Sequence, residues 1–477
     1  MLNLADVFEA LTNRRPEMKL PIITEAAIDS RQVIPGALFI AIPGERVDGH
    51  DFVADAFHRG ASFALIEHEL VTTLPTLDLR SAAQDGLPAS LGSLIRQPLC
   101  LMVKNSLKAL QHIARFWRRK LKLRVIGITG SVGKSTTKEL VAEVLSQRYH
   151  TIRNPGNLNN EIGLPLTLLQ VGTGHEYAVL EMGFYVPGEI SLLCDIALPQ
   201  VGVVTNIGTV HAERAGDQEA IVRGKTELVQ SLPAAPEGVA VLNYDDPLVR
   251  PMAEKTGARP FFYGLDSRAD LWADGVEGMG LEGIRFRIHH GKETLHVRVP
   301  LIGQHSVHTA LRAAAVGLVE GLTWQEILDG LRKSHTQLRL VAVRSEIGAL
   351  LLDDSYNASP ESTVAALNLL AELDGRRVAV LGDMLELGPY EKQGHDLVGT
   401  RAAEVVDFLV TVGERGQMIA SAARHAGLNP DRIAEFQGTE ETISFLRHFL
   451  AQNDTVLVKG SHGLHMDQVV NALEVQR

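Results

Sequence analysis

The stretch RVIGITGSVGKSTTKELVAEVLSQ, residues 124–147, decides how the rest of the chain is read. Val125, Ile126 and Ile128 make a short apolar, β-branched run expected to be a buried strand, and Leu140, Val141, Val144 and Leu145 recur after it at helical spacing. Between strand and helix stand Thr129, Gly130, Ser131, Val132, Gly133, Lys134, Ser135 and Thr136. The two glycines let the backbone turn so that its N–H groups converge on one point, and the following helix directs its positive end there. That point suits a phosphate chain. Lys134 is expected to meet the β/γ-phosphates, and the hydroxyl of Ser135 or Thr136 to reach a bound Mg²⁺. Ile128 stands where the usual phosphate loop has its first glycine, so the strand before and the amphipathic helix after carry the reading.

With 477 residues the chain exceeds one ordinary core, and 45% hydrophobic with 22% charged residues is a globular composition. A net charge of −11 argues against nucleic acid or an anionic membrane as the main partner. Cys100 and Cys194 are the only cysteines, too few for a disulfide framework or a zinc cluster. The first residues lack a long apolar run, and no stretch approaches about 18 uninterrupted apolar residues. A cytoplasmic protein is therefore expected.

Three α/β domains are expected, residues 1–100, 101–335 and 336–477. In the first, Asp29, Ser30 and Arg31 end a strand, and Asp48, Gly49, His50 and Asp51 precede a helix. Polar groups so placed suit a nucleotide or sugar phosphate, and turn or cap chemistry explains the same residues. The second, centred on the phosphate loop, alternates strands and helices as in a mostly parallel, doubly wound sheet. There NPGNLNNEIG sets Asn157, Asn159, Asn160 and Glu161 on a loop that opens a helix, as ligand groups or as caps. Glu181 stands at the carboxyl end of strand Tyr177 to Leu180, either a metal carboxylate or an ordinary surface acid. VGVVTNIGTVH presents Asn206, Thr209 and His211, although a lone histidine is more often structural. Lys225, in QEAIVRGKTELV, reads most simply as a solvated lysine on a helix face. The alanines after Gly303 to His308 mark either a neutral surface for a purine or a tight helix contact. In the third domain DDSYNASPES, GDMLELG and KGSHG follow strand ends, and no glycine-rich dinucleotide fingerprint occurs.

Taken together these segments resemble the Mur ligase family over nearly the whole chain. DSRQVIPGALFIAIPGERVDGHDF resembles its uridine-nucleotide domain; TGSVGKSTTKE, GNLNNEIGLPLTLL, EMG and NIGTVH resemble its central ATPase domain; and DDSYNASPES with VLGDMLELG resembles the dipeptide-adding branch. The resemblance implies three domains: a small α/β N-terminal domain, a central P-loop ATPase-type domain and a Rossmann-like C-terminal domain. It implies an ATP-dependent amide ligase of peptidoglycan precursor synthesis, acting as a monomer in the cytoplasm, with no nucleic acid or membrane partner. The implied substrates are UDP-N-acetylmuramoyl-tripeptide and D-alanyl-D-alanine, joined through an acyl phosphate.

By the same resemblance Lys134, Lys225, His211 and Glu181 are catalytic, and Lys225 is carbamylated. Ser135, Glu181, His211 and Lys225 would bind Mg²⁺. The loop from Thr129 to Thr136, with Asp353, Asp354 and Tyr356, would hold ATP. Ser30, Arg31, Asp48, Gly49, His50, Asn157, Asn159, Asn160 and Asn357 would hold substrate. Three segments depart from the pattern. Phe184, Tyr185 and Val186 stand where relatives often have Asn-His; His305, Ser306, Val307, His308 and Thr309 replace His-Asn-x-x-Asn; and His462 replaces the arginine of Lys-Gly-Ser-Arg-Gly. DSR speaks against a folylpolyglutamate-type ligase, GDMLELG against a diaminopimelate- or lysine-adding one, and the first domain against a simple P-loop switch.

Overall fold

Short apolar runs bounded by glycine, proline and acids leave the chain little choice but strands, and strands separated by helical segments pair in parallel. In the computed structural model, which describes residues 1–44, 47–70, 74–82, 92, 95, 98–333 and 341–475, they form three mostly parallel sheets. The expected boundary at 335/336 lies outside the described residues. Two compact units divide the chain, the first comprising residues 1–127, 149–183 and 189–200 and the second the remainder.

In the first unit, β1 (Ala26–Ala27), β2 (Leu38–Ile40), β3 (Phe63–Ile66), β4 (Thr76–Asp78) and β5 (Leu99–Met102) form an all-parallel sheet in the order β1-β2-β3-β5-β4. Phe39, Ile66, Val53 and Met102 belong to its core. The sheet thus continues past residue 100 to Met102. The helix Ser106–Lys120 starts at an Asn105 cap and buries Leu110, Ile113, Ala114 and Trp117. Its basic end is only partly solvated. Arg118 turns inward, donating from Nε to the Ala197 carbonyl at 2.6 Å and from Nη2 to that of Leu123 at 2.9 Å. β6 (Arg124–Thr129) runs out of this unit, and β7 (Thr151–Arg153) pairs in parallel with β8 (Tyr177–Glu181).

The second unit opens with the phosphate-loop helix, Lys134–Leu145, which buries Leu140, Val141, Val144 and Leu145 completely, about 1.5–3 kcal/mol each. β9 (Val201–Val204), β10 (Val239–Asn243), β11 (Arg259–Gly264) and β12 (Leu271–Gly278) are parallel neighbours, and β13 (Ile284–His290) and β14 (Glu293–Val299) continue from β12 as antiparallel strands. The helix Val307–Val319 packs Ala310, Ala313, Ala314 and Ala315 fully buried, and a Cβ on its Gly317 would stand 3.0 Å from Val144 of the phosphate-loop helix. Tight helix packing is therefore what its alanines serve.

The C-terminal sheet has the order β15-β16-β20-β17-β18-β19, from β15 (Val341–Arg344), β16 (Leu350–Asp354), β17 (Arg376–Gly382), β18 (Phe408–Val412), β19 (Ile433–Phe436) and β20 (Asp454–Lys459). Only β15 is antiparallel. Chain order reverses around β20, so the loops after β16, β17 and β20 meet at one carboxyl edge, where open α/β sheets bind ligands.

Candidate functional site

β6 ends at Thr129, and the loop then needs two backbone conformations that side chains rarely adopt, Gly130 at φ +145° and Gly133 at φ +82°. A Cβ on Gly130 would also stand 1.9 Å from Thr205 Oγ1. The segment after β9 clamps the loop. The Ser131 and Val132 N–H groups donate to the backbone oxygen and Oδ1 of Asn206, each at 2.9 Å. Thr205 Oγ1 donates to the Val132 carbonyl at 2.7 Å, and the Gly208 N–H to Ser131 Oγ at 2.8 Å. Lys134 lies back over the turn, donating to the carbonyls of Gly130 at 2.9 Å and Ser131 at 3.2 Å. Thr129 is buried, and Val132, Ser135 and Thr136 are half-buried.

Lys225 corrects its simplest sequence reading. It lies on the buried side of the helix Gln218–Gln230, fully removed from solvent, and donates to the Gly130 carbonyl at 3.2 Å. The Phe184 ring covers its Nζ at 4.6 Å. Burial, reinforced by the Lys134 charge, holds its amine well below the ordinary lysine range. The neighbouring Gly224 leaves room for that ring, since a Cβ there would stand 2.0 Å from Phe184.

His211 adopts φ +70°, and its Nδ1 lies 2.6 Å from Oε2 of Glu386, itself at φ +63°. A carboxylate only accepts, so Nδ1 carries the proton and Nε2 is the nitrogen left to bind a ligand. Burial lowers the His211 pKa against the pull of Glu386, and the Lys134 and Lys225 charges add to the lowering. The bond from His211 in turn lowers that of Glu386. Tyr185 meets the imidazole edge-on at 4.9 Å, with the Arg214 guanidinium 4.7 Å above the tyrosine ring. Glu386 belongs to the Gly382–Gly388 turn after β17, so the loops of two sheets meet at this histidine. The Glu213 N–H donates to the Glu386 carbonyl at 3.3 Å, and a Cβ on Gly388 would stand 2.9 Å from Glu213 Cα.

In the first unit, Glu181 is 1% exposed. Its Oε1 accepts from Asn159 Nδ2 at 2.8 Å, while the buried Oε2 has no hydrogen-bond partner among the described residues. Asn154, wholly buried, binds both backbone groups of Glu181 and fixes the strand end. Asn160 Oδ1 accepts from the Gly163 N–H at 2.9 Å, at the start of the helix Gly163–Leu169, and Asn157 is exposed. Cap chemistry holds at the N-terminal candidates: Asp29 accepts from the Arg31 N–H, and Asp48 from the His50 N–H beside Gly49. Ser30 is buried and Arg31 exposed. Asp48, His50 and His68 bring ligand-type atoms within 4.8 Å of one another. Both His50 nitrogens are engaged, Nδ1 with Asp48 at 2.6 Å and Nε2 with the Glu67 N–H at 2.9 Å, so this trio has no open donor set for a metal.

At the C-terminal sheet, Asp354 and Lys459 are register partners and pair at 2.6 Å, with the Lys459 amine buried and also donating to the Asn357 carbonyl. Asp353 accepts from the Ser355 hydroxyl at 2.6 Å. These bonds shape the loop. They leave Tyr356 41% exposed, edge-on to His462 at 5.9 Å. The second unit thus gathers the loop to Thr136, Lys225 and His211 around one point, and sets the Asp353–Asn357 segment at the edge that also carries the Glu386 turn. Sequence reasoning missed Thr205, Asn154, Glu386 and Arg312, and gave Phe184 no role. Only position after a strand end marked the first two and Glu386; a lone arginine among alanines marked Arg312.

Family models match three segments of the chain: Mur ligase family, catalytic domain, at residues 22–94; Mur ligase middle domain at 128–317; and Mur ligase, glutamate ligase domain, at 338–462. The UDP-N-acetylmuramoyl-tripeptide–D-alanyl-D-alanine ligase of Bacillus subtilis is 32% identical, over 99% of this chain and 97% of its own length. That of Escherichia coli is 33% identical, over 94% and 92%. Among solved structures, MurF from Acinetobacter baumannii matches with a TM-score of 0.82 at 30% identity, covering 98% of this chain and 97% of that one. MurF ligase from Thermotoga maritima in complex with ADP matches with 0.77 at 26%, covering 97% of each chain.

Proposed function

The chain belongs to the Mur ligase family, and from that membership we propose that it joins D-alanyl-D-alanine to UDP-N-acetylmuramoyl-tripeptide, using ATP, in peptidoglycan precursor synthesis. The observation that carries the ligase chemistry is Lys225, a buried amine bonded to the phosphate loop itself. A neutral amine adds CO₂ and releases a proton, leaving an anionic carbamate where an ordinary lysine would be a cation. Full-length likeness to dipeptide-adding relatives supports the choice of amine.

Ser135, Glu181, His211 and Lys225 are the proposed Mg²⁺ ligands: in the second unit Nε2 of His211 is left over by the Glu386 bond, Ser135 has a hydroxyl and Lys225 gains oxygens once carbamylated, and in the first unit Glu181 Oε2 has no hydrogen-bond partner among the described residues. Bound Mg²⁺ would supply Lewis-acid charge to phosphoryl transfer. The tripeptide carboxylate attacks the γ-phosphorus of ATP, giving acyl phosphate and ADP; the dipeptide amine then attacks the acyl carbon and expels phosphate. Lys134 screens the repulsion between the two anions and neutralises charge on the transferring group. No nucleophilic side chain is required. Asp353, Asp354, Tyr356 and Asn357 serve nucleotide or dipeptide; Ser30, Arg31, Asp48, Gly49, His50, Asn157, Asn159 and Asn160 serve the UDP-sugar substrate. Residues 1–100, 101–335 and 336–477 are the proposed domains, in a cytoplasmic monomer. No helix among the described residues is long and apolar enough to cross a membrane.

The test is ADP release with Mg²⁺, bicarbonate and ATP. We expect it to require both UDP-N-acetylmuramoyl-tripeptide and D-alanyl-D-alanine, with a product heavier by the dipeptide. Service by a single amino acid would overturn the substrate, and ADP release without either substrate the ligase reading. Glu386, which fixes the His211 tautomer, makes a second test. Glu386→Ala is expected to weaken apparent Mg²⁺ affinity in that assay by about 10–100-fold, and Glu386→Gln, still an acceptor for Nδ1–H, by much less.

A further inference from the structure

Arg312 is a buried charge beside the phosphate loop that the proposed chemistry leaves without a task. It stands in the alanine-rich helix Val307–Val319 and is 4% exposed. Its guanidinium lies against the phosphate loop, with Nη2 3.1 Å from where a Cβ on Gly133, the residue before Lys134, would be. Nη2 donates to Thr309 Oγ1 at 2.7 Å and Nη1 to Tyr263 Oη at 3.5 Å, whereas Nε is buried with no partner among the described residues. The Tyr263 hydroxyl in turn donates to the Thr205 carbonyl at 3.2 Å, which ties this group to the segment that clamps the loop.

No carboxylate among the described residues forms an ion pair with Arg312. Asp245 and Asp246, whose charges reach Tyr263, are bonded elsewhere. Asp245 binds His308 at 2.8 Å and the Leu265 N–H at 2.7 Å; Asp246 accepts from the N–H groups of Ile207 at 2.9 Å and Leu248 at 2.8 Å. Arginine keeps its charge at any working pH, and a buried cation without a counter-charge is costly unless an anion joins it. Lys134 lies over the same loop and adds a second positive charge there.

We propose that Arg312 is a phosphate-binding residue whose Nε–H and positive charge take up an oxyanion of the nucleotide's phosphate chain. The inference rests on the nucleotide-binding reading above and adds to it a residue outside the phosphate-loop motif. A packing role for the same side chain would require only its bonds to Thr309 and Tyr263, and would be indifferent to the charge of the ligand.

Calorimetry with the full chain, using ADP and adenosine as the two probes, separates these. In Arg312→Met the ratio of ADP to adenosine affinity is expected to fall at least about tenfold, because one cation serving a phosphate is lost while the nucleoside contacts persist. A ratio within twofold of wild type, whatever the melting temperature, would overturn the proposal. Should the methionine variant not fold, Arg312→Lys carries the test: it keeps a charge but lacks the planar fork, and a severalfold fall in the ratio is expected, an unchanged ratio being the overturning result. A wild-type protein showing no preference for ADP over adenosine would instead remove the nucleotide reading itself.

Discussion

Replacing Lys225 by alanine is expected to lower ADP formation by about 10³-fold without unfolding the protein, and millimolar acetate or propionate is expected to restore part of the loss. The reasoning starts from burial. The amine is sealed beneath Phe184, bonded to Gly130 and held below its ordinary range by burial and by Lys134, so it is ready to become a carbamate. On the proposed carbamate, the alanine variant lacks a carboxylate at this place and opens a space a small carboxylic acid can enter. Recovery with an alkyl ammonium salt but not with acetate would show that the cation, not a carbamate, was needed. Stability gives a separate check in CO₂-free buffer. Unfolding returns the amine to the ordinary value of 10.5, so below that pH the unfolded chain holds a proton the folded one lacks. Wild-type stability, relative to Lys225→Met, therefore rises with pH up to about 10.5 and falls as pH drops toward the lowered folded value. A flat difference would contradict a buried neutral amine.

Lys134→Met is the second large effect, an expected fall of about 10²–10³-fold in ADP formation, because the charge proposed to meet the phosphates is removed from a half-enclosed loop. A secondary change should accompany it. Lys134 helps to lower the pKa values of both Lys225 and His211, so without it both groups protonate more readily. The activity remaining should then need a higher pH than wild type. A profile that does not move would mean that burial alone sets these groups.

The stretch from Arg124 to Gln147 was legible because strand period, glycine turn and helix period all lie within one local segment. Lys225 was not. On a helix its neighbours in sequence say nothing about Phe184 and Gly130, which cover and bind it from other elements. His211 and Glu386 were partners across 175 positions, and no local pattern marks which acid of GDMLELG turns inward. The N-terminal candidates show the converse: Asp29 and Asp48 read as ligand groups or as caps, and their cap bonds, each made within two residues, are the part of that reading a local pattern reaches.

Gly224 and Phe184 end as a statement about divergence. A methyl group at 224 has no space while the ring is present, and a smaller residue at 184 would create that space only by opening the Lys225 amine to water. Neither position can drift alone. Sequences descended from this one should keep both or exchange both, and those that give up the ring must find another way to keep that lysine dry.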